Sequence, residues 1–291
     1  MQRSGRNPAE ALHPEHLFFF FSAWYTPTRP ALPKGQSHFN LAKEFPMELD
    51  LMVNSMPVHA VYDEQDINEI FLPLLKEIDR RQKEKNGRIF VMLAAPPAAG
   101  KSSLSKTLAK LAAGIPGMEP VTVIGMDGYH RYMSYLTTHT MMRDGKELMM
   151  VEIKGCPESF DLPRLTENIR EVATGCSCTW PDYDRMKKDP IEEALKVDSK
   201  IVLLEGNYLL LDREGWKDLA QYADLTIRIT AEPEFLRKRL IGRKYNTGVT
   251  MEEAVHFVDF SDMVNVKTCL EHTGEADINL YLDTEGRYHR L

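Results

Sequence analysis

The chain has 291 residues, enough for one large domain with a full core or at most two. With 43% hydrophobic residues, 27% charged residues and a mean hydropathy of -0.36, it has the composition of an ordinary globular protein. Thirty-six Lys and Arg against 43 acidic residues leave a net charge of -7, which argues against a nucleic-acid binder. An anionic ligand would need a local cluster of cations.

Four cysteines in a chain of this size make no disulfide framework, and Cys176-Ser177-Cys178 lacks the spacer and the second ligand pair of a zinc site. No apolar run is long enough to cross a membrane. The stretch Leu17–Tyr25 (LFFFFSAWY) is short, and Glu10 and Glu15 before it make a poor signal peptide. Five prolines (Pro8, Pro14, Pro27, Pro30, Pro33) and the lack of any period mark residues 1–46 as a poorly structured N-terminal extension. A single domain is expected over 47–291, with Met47, Met52 and Met56 each acceptable as a start. Reduced thiols and the lack of a targeting signal imply a cytoplasmic protein.

In chain order, Ile67, Ile70, Leu74 and Ile78 fall at the helical period, and the pattern ends at Asn86-Gly87. RIFVMLAA (88–95) is a short continuous apolar run, as expected of a strand buried on both faces. Leu104, Leu108 and Leu111 line one face of a helix over 101–113. Further strands are expected over 120–126, 201–206, 224–230 and 278–283, with helices over 163–173, 216–221, 233–243 and 251–272. The less regular, methionine-rich region 129–161 reads as a substrate flap. The alternation implies an α/β fold, a three-layer sandwich with a mainly parallel sheet of about five strands covered by helices.

Between the first such strand and its helix lies AAPPAAGKSSLS (94–105), which closes as G-x-x-x-x-G-K-[ST] but has Ala95 at the first glycine position. Pro96 and Pro97 lack N–H groups, yet the donors expected to cradle phosphates, from Ala98, Ala99, Gly100, Lys101, Ser102 and Ser103, all remain. Lys101 supplies charge to the outer phosphates and Ser102 a hydroxyl for Mg2+. Ala95 and Ala98 would cost about 1 kcal/mol each if their φ angles are positive.

Asp127, in MDGYH after the second strand, lies at the carboxyl edge where ligands bind in open α/β sheets. It can act as base on an acceptor hydroxyl or hold Mg2+ through water, although Asp-Gly is also a turn dipeptide. Glu205 follows four apolar residues in IVLLEG and is placed to position Mg2+. FLRKRLIGRKYNTG concentrates Arg237, Lys238, Arg239, Arg243 and Lys244 into a cationic lid near 237–248, although basic residues also suit a helix C-terminus for the sake of its dipole. Arg239 and Arg243 share a helical face. His130, Arg131, Asp161, Tyr183, Asp184 and Arg185 are the candidates for substrate contacts. Asp161 could equally be the N-cap of the helix opening at Leu162-Pro163.

Together with KGCPESFDLPRL and WPDYDRMKKDP, these stretches resemble the phosphoribulokinase/uridine kinase family from about Ile67 to Asp283. KGCPESFDL and EGNYLLLD look most like its fructose-transport-associated members, and MDGYH also resembles the pantothenate kinases. The resemblance implies a P-loop kinase fold, ATP and Mg2+, a catalytic base at Asp127 and lid arginines at Arg239 and Arg243. It departs at Ala95 and Ala98, where most relatives have glycine. The implied activity is phosphoryl transfer to a small-molecule hydroxyl, of a sugar such as fructose, of pantothenate or of a nucleoside. No nucleic acid or membrane is involved, and a homodimer is compatible. An ATP-binding regulator without turnover is the alternative from another class.

Removing residues 1–46 should leave melting temperature and ATP affinity close to those of the full chain. A truncation at Met47 that precipitates or melts much lower would contradict this.

Overall fold

The computed structural model describes residues 45–291, so all but the last two residues of the expected N-terminal extension lie outside the described residues. Two strands that the sequence reading missed come first. β1 (Met47–Val53) pairs antiparallel with β2 (Met56–Tyr62), Met47 opposite Tyr62 and Val53 opposite Met56. Leu49, Leu51 and Val53 are buried while Glu48, Asp50 and Met52 are not, the two-residue period of a half-buried strand. Asn54 and Ser55 close the hairpin with φ of 48° and 64°. Positive φ at both central residues belongs to a primed turn, in which Asn is favoured.

A π-helical turn (Asp66–Phe71) leads into α1 (Leu72–Lys85), which ends at Asn86 in the left-handed conformation. β3 (Ile89–Ala94), the phosphate-type loop and α2 (Lys101–Ala112) follow as expected. β4 (Val121–Gly125) runs into a 3-10 turn (Met126–Tyr129). The flap region folds as α3 (Met133–Leu136) and a small hairpin of β5 (Thr140–Arg143) and β6 (Lys146–Met149). After α4 (Leu162–Ala173), a further unanticipated hairpin joins β7 (Cys178–Asp184) to β8 (Asp189–Val197). β9 (Ile201–Gly206) precedes a 3-10 segment (Lys217–Tyr222) where an α-helix over 216–221 was expected. β10 (Leu225–Ala231) and α5 (Pro233–Tyr245) come next, and α6 (Met251–Phe257) and α7 (Met263–Glu271) are joined through a π-helical turn. β11 (Ile278–Leu282) and β12 (Tyr288–Arg290) close the fold.

The central sheet has six strands rather than five, in the order β12-β11-β10-β3-β9-β4. Five are parallel and β12 pairs antiparallel with β11 at the edge. Alternate residues of β3 enter two different cores. Ile89, Val91 and Leu93 pack with the hairpin, α1, α2 and α5, whereas Phe90, Met92 and Ala94 pack with α4, Trp180 and Tyr208. A strand covered on both faces must be apolar at every position, and β3 and β9 are. The chain leaves β3 toward β4 on one side and later leaves β9 for β10 on the other, so the carboxyl ends open into a crevice at the strand-order reversal. Among the described residues no helix is long and apolar enough to cross a membrane, and all four cysteines are free thiols.

One buried carboxylate ties the turn before α1 to the last strand. Asp66, 2% exposed, accepts the backbone N–H of Tyr288 on β12 at 2.8 Å. Burial raises its carboxyl to about 6 from an ordinary 3.8. The folded form therefore binds the proton more tightly than the unfolded chain, and stability falls as pH rises from about 4 through 6. Above that window the buried charge costs on the order of 3 kcal/mol. Asp66→Asn keeps the shape and the acceptor oxygen, so its stability relative to the parent should improve as pH rises from 4 to 7. Urea unfolding of both proteins at each pH checks this, and a constant difference would refute it.

Candidate active site

The loop between β3 and α2 adopts the anion-binding form despite its alanines. Of the two missing glycines only one position needs positive φ: Ala98 has φ 65°, whereas Ala95 is ordinary and donates to Gly206 O at 3.2 Å. Gly100, at φ 82°, is the N-cap of α2 and carries no side chain to cap it. The first N–H groups of α2, at Lys101, Ser102 and Ser103, lack intrahelical acceptors and are left for a ligand. The Ala99 N–H bonds Pro96 O at 3.2 Å, so it shapes the loop rather than serving as a donor to a phosphate. A Cβ on Gly100 would lie 3.1 Å from the Tyr288 hydroxyl and 3.7 Å from an Arg239 nitrogen, so the loop backbone is packed from below.

The sheet register sets two acids beside this loop. Glu205 lies opposite Leu93 on β3 and Gly125 on β4. At 5% exposure it accepts the Ser102 hydroxyl at 2.6 Å and lies 3.9 Å from Lys101 Nζ. Burial pushes its carboxyl up, opposed by the Lys101 charge and reinforced by Asp127. Asp127 sits in the 3-10 turn just past β4. Gly128 beside it is required by close approach, since a Cβ there would fall 2.2 Å from the Pro181 carbonyl of β7. Trp180, fully buried, donates to Gly125 O at 2.8 Å and locks that turn. Burial alone would raise the Asp127 carboxyl, but His130, Lys101, Arg185 and Arg243 around it hold it below the usual aspartate range. Burial lowers the His130 imidazole to about 4, so at neutral pH it is uncharged and its share of that lowering is lost.

The expected substrate contacts divide into two groups. Arg185 reaches Asp127 Oδ2 at 3.7 Å. His130 stacks on Phe160 at 4.0 Å and lies 5.2 Å from the Tyr183 ring, with its Nδ1 buried and unpartnered among the described residues. These three converge on Asp127. Asp161 instead caps α4, accepting the Arg164 N–H at 3.4 Å. Asp184 shapes the β7–β8 turn by accepting from Met186 N and Lys187 N at 2.8 and 3.1 Å. Arg131 lies over the Tyr135 ring at 4.6 Å.

The lid arginines also separate. Arg237 forms a two-point ion pair with Asp259 at 2.6 and 2.8 Å. Half-buried Arg239 packs over Phe235 and beside the loop, and desolvation lowers its guanidinium. Arg243 is exposed; desolvation first, then the Arg185 charge, brings it down to about 10, still cationic at neutral pH.

Sequence reasoning missed two residues here. Lys154 donates to Lys188 O at 2.8 Å and sits over the Tyr183 ring at 5.1 Å, and burial lowers it to about 8. It lies inside the quoted KGCPESFDL, but no local pattern marks it. Asn54 donates to Asp127 at 2.9 Å across 73 residues. The alternation on both sides of Asn54-Ser55 signals a hairpin, but nothing local says where its tip lands.

Among the described residues no group of three or more His, Cys, Asp or Glu could hold a metal. Mg2+ beside a nucleotide needs only one or two protein oxygens, its shell being completed by phosphate and water. The Ser102 hydroxyl and Glu205 carboxylate, hydrogen-bonded to each other, could supply such oxygens.

Comparison with known proteins agrees with this fold. The sequence model of the Phosphoribulokinase / Uridine kinase family matches residues 90–282. An uncharacterized Escherichia coli protein, YggC, is 39% identical over 84% of this chain and 99% of its own length. A pantothenate kinase of Shewanella piezotolerans is 24% identical over 69% of each chain. Among solved structures, a Silicibacter sp. TM1040 protein provisionally named a fructose transport system kinase superposes with a TM-score of 0.63. It shares 28% identity over 72% of this chain and 98% of its own. Saccharomyces cerevisiae YFH7 shares the fold, with a TM-score of 0.61, 16% identity and coverage of 74% and 99%.

Glu205→Gln keeps an oxygen to accept the Ser102 hydroxyl but removes the charge. It should leave ATP binding intact and raise several-fold the Mg2+ concentration giving half-maximal ATP turnover. An unaltered Mg2+ titration would reduce Glu205 to a structural partner of Ser102.

Proposed function

The chain belongs to the phosphoribulokinase/uridine kinase family, and on that footing we propose that it transfers the γ-phosphoryl group of ATP to a hydroxyl of a small metabolite, a sugar such as fructose first among the acceptors. The observation that carries this reading is the convergence at one sheet edge of an uncapped loop helix, the Ser102–Glu205 pair and Asp127 within reach of Arg185. The residues present fit Mg2+ and ATP. The N–H groups of the first turn of α2 would hold the phosphates, with Lys101 on the outer ones and Ser102 and Glu205 on the metal and its waters. When bound, the nucleotide supplies the phosphoryl group and the metal neutralises its charge.

The protein's own part is positioning and proton transfer. Asp127, kept ionised by the cations around it, takes the proton of the acceptor hydroxyl as that oxygen attacks. Arg185 and Arg243 balance charge developing on the transferred group, and Arg239 supports the loop from beside Gly100. Neutral His130, Tyr183 and Lys154 form the acceptor side, an aromatic wall with one amine that suits a polyhydroxylated molecule.

The provisional name of the Silicibacter protein favours a sugar. The Shewanella relative keeps pantothenate among the candidates, and a nucleoside remains the third. A regulator that binds ATP without turnover is favoured only by the alanines of the loop. Ala98 does sit at positive φ, but that costs about 1 kcal/mol, too little to abolish nucleotide binding.

ATP consumption against a panel of sugars, pantothenate and nucleosides tests the acceptor, and an acceleration by none of them would favour the regulator. In the responsive assay, Asp127→Asn should cut turnover roughly 100-fold or more with ATP affinity near normal. Recovery at high Mg2+ would make Asp127 a metal ligand instead, and an unchanged rate would remove the base assignment.

A further inference from the structure

We propose that Asn54, at the tip of the β1–β2 hairpin, is a positioning residue that orients the Asp127 carboxylate toward the acceptor hydroxyl. The inference rests on the assignment of Asp127 as the base. The Asn54 side-chain amide donates to Asp127 Oδ2 at 2.9 Å, and the Arg185 guanidinium approaches the same oxygen at 3.7 Å. Among the described residues no hydrogen bond ends on Oδ1. A carboxylate held through one oxygen presents the other in a defined direction, which is what proton abstraction needs.

The hairpin is built to deliver that contact. Leu49, Leu51 and Val53 anchor β1 in the core, and the Tyr62 ring at the end of β2 packs edge-on against Phe71 at 4.9 Å. Lys106 and Lys110, both on α2, donate to the carbonyls of Met52 and Asp50 at 2.5 and 3.5 Å. The hairpin is thus fastened to the helix that begins at the phosphate-type loop, while its tip grips the acid beyond β4. It fixes the base relative to the nucleotide side of the site, a distance that the sheet alone leaves to the turn after Gly125. The side chain suits both tasks. Asn tolerates the left-handed backbone of its position, φ 48°, and a neutral amide orients a carboxylate without adding charge beside Lys101, Arg185 and Arg243.

Two substitutions keep the turn and change only the side chain. Gly accepts positive φ freely, and Asp has nearly the shape of Asn and also tolerates that region. The full chain is assayed for ATP consumption with the alcohol from the panel that gives the fastest turnover or, when none accelerates it, with water. Asn54→Gly should lower kcat about tenfold, and Asn54→Asp should lower it further because a second anion faces the base. Neither should change the Kd for ATP more than about twofold or the melting temperature by more than a few degrees. In the Asp127→Asn background Asn54→Gly should cost nothing more, because the effect runs through Asp127. Full kcat in Asn54→Gly, a rise in rate, or an equal loss with and without Asp127 would overturn the proposal. So would ATP affinity falling in step with melting temperature, which would make the hairpin a support for the fold alone. If Asp127→Asn itself turns over at full rate, the base assignment is what fails, and the role of Asn54 falls with it.

Discussion

The site depends on the carboxylate of Glu205, buried at the end of β9 between the two strands that carry the rest of the chemistry. A charge in so dry a place is costly unless partners surround it. Here the partners belong to the loop helix: the Ser102 hydroxyl at 2.6 Å and the Lys101 ammonium at 3.9 Å. One ion pair and one hydrogen bond therefore bind the start of α2 to the middle of the sheet. Because β3, β9 and β4 are parallel and in register, Ala94 lies opposite Gly206 and Gly125 opposite Glu205. Loop, acid and the turn bearing Asp127 consequently reach the same edge.

Charge at that edge contrasts with the whole. The chain is acidic, at -7, yet Lys101, Arg185 and Arg243 gather around a single aspartate. Their origins differ: a loop, a hairpin turn and a helix end. For Arg243 the charges of Asp262 and Asp127 offset part of its desolvation. His130 stands among them neutral, lowered to about 4, so aromatic surface rather than another charge lies beside these cations.

The local signals carried the parallel sheet, the loop and the two acids. A continuous apolar run means burial on both faces, and β3 and β9 satisfy it at every position. Gly100-Lys101-Ser102 after such a run specifies a helix start with free N–H groups, and even the alanine substitutions could be costed in advance. Asp161 shows the limit: as N-cap and as ligand it reads the same, because both uses need a short polar side chain before a helix, and the structure makes it a cap. Asp184, expected among the substrate contacts, shapes a turn instead.

Only the tertiary structure decided which distant side chains share a space. The β1–β2 hairpin was within reach of pattern reading, since its alternation and Asn54-Ser55 turn are local features. That its tip meets Asp127, 73 residues on, depends on how α2 packs against β1 and on how far the turn after β4 projects. The same holds for Tyr288 beneath Gly100 and for Lys154 over Tyr183. Backbone preference and hydrophobic period act over a few residues and are written into the chain order. Contacts between elements arise from packing the whole core at once, and no short stretch of sequence encodes them.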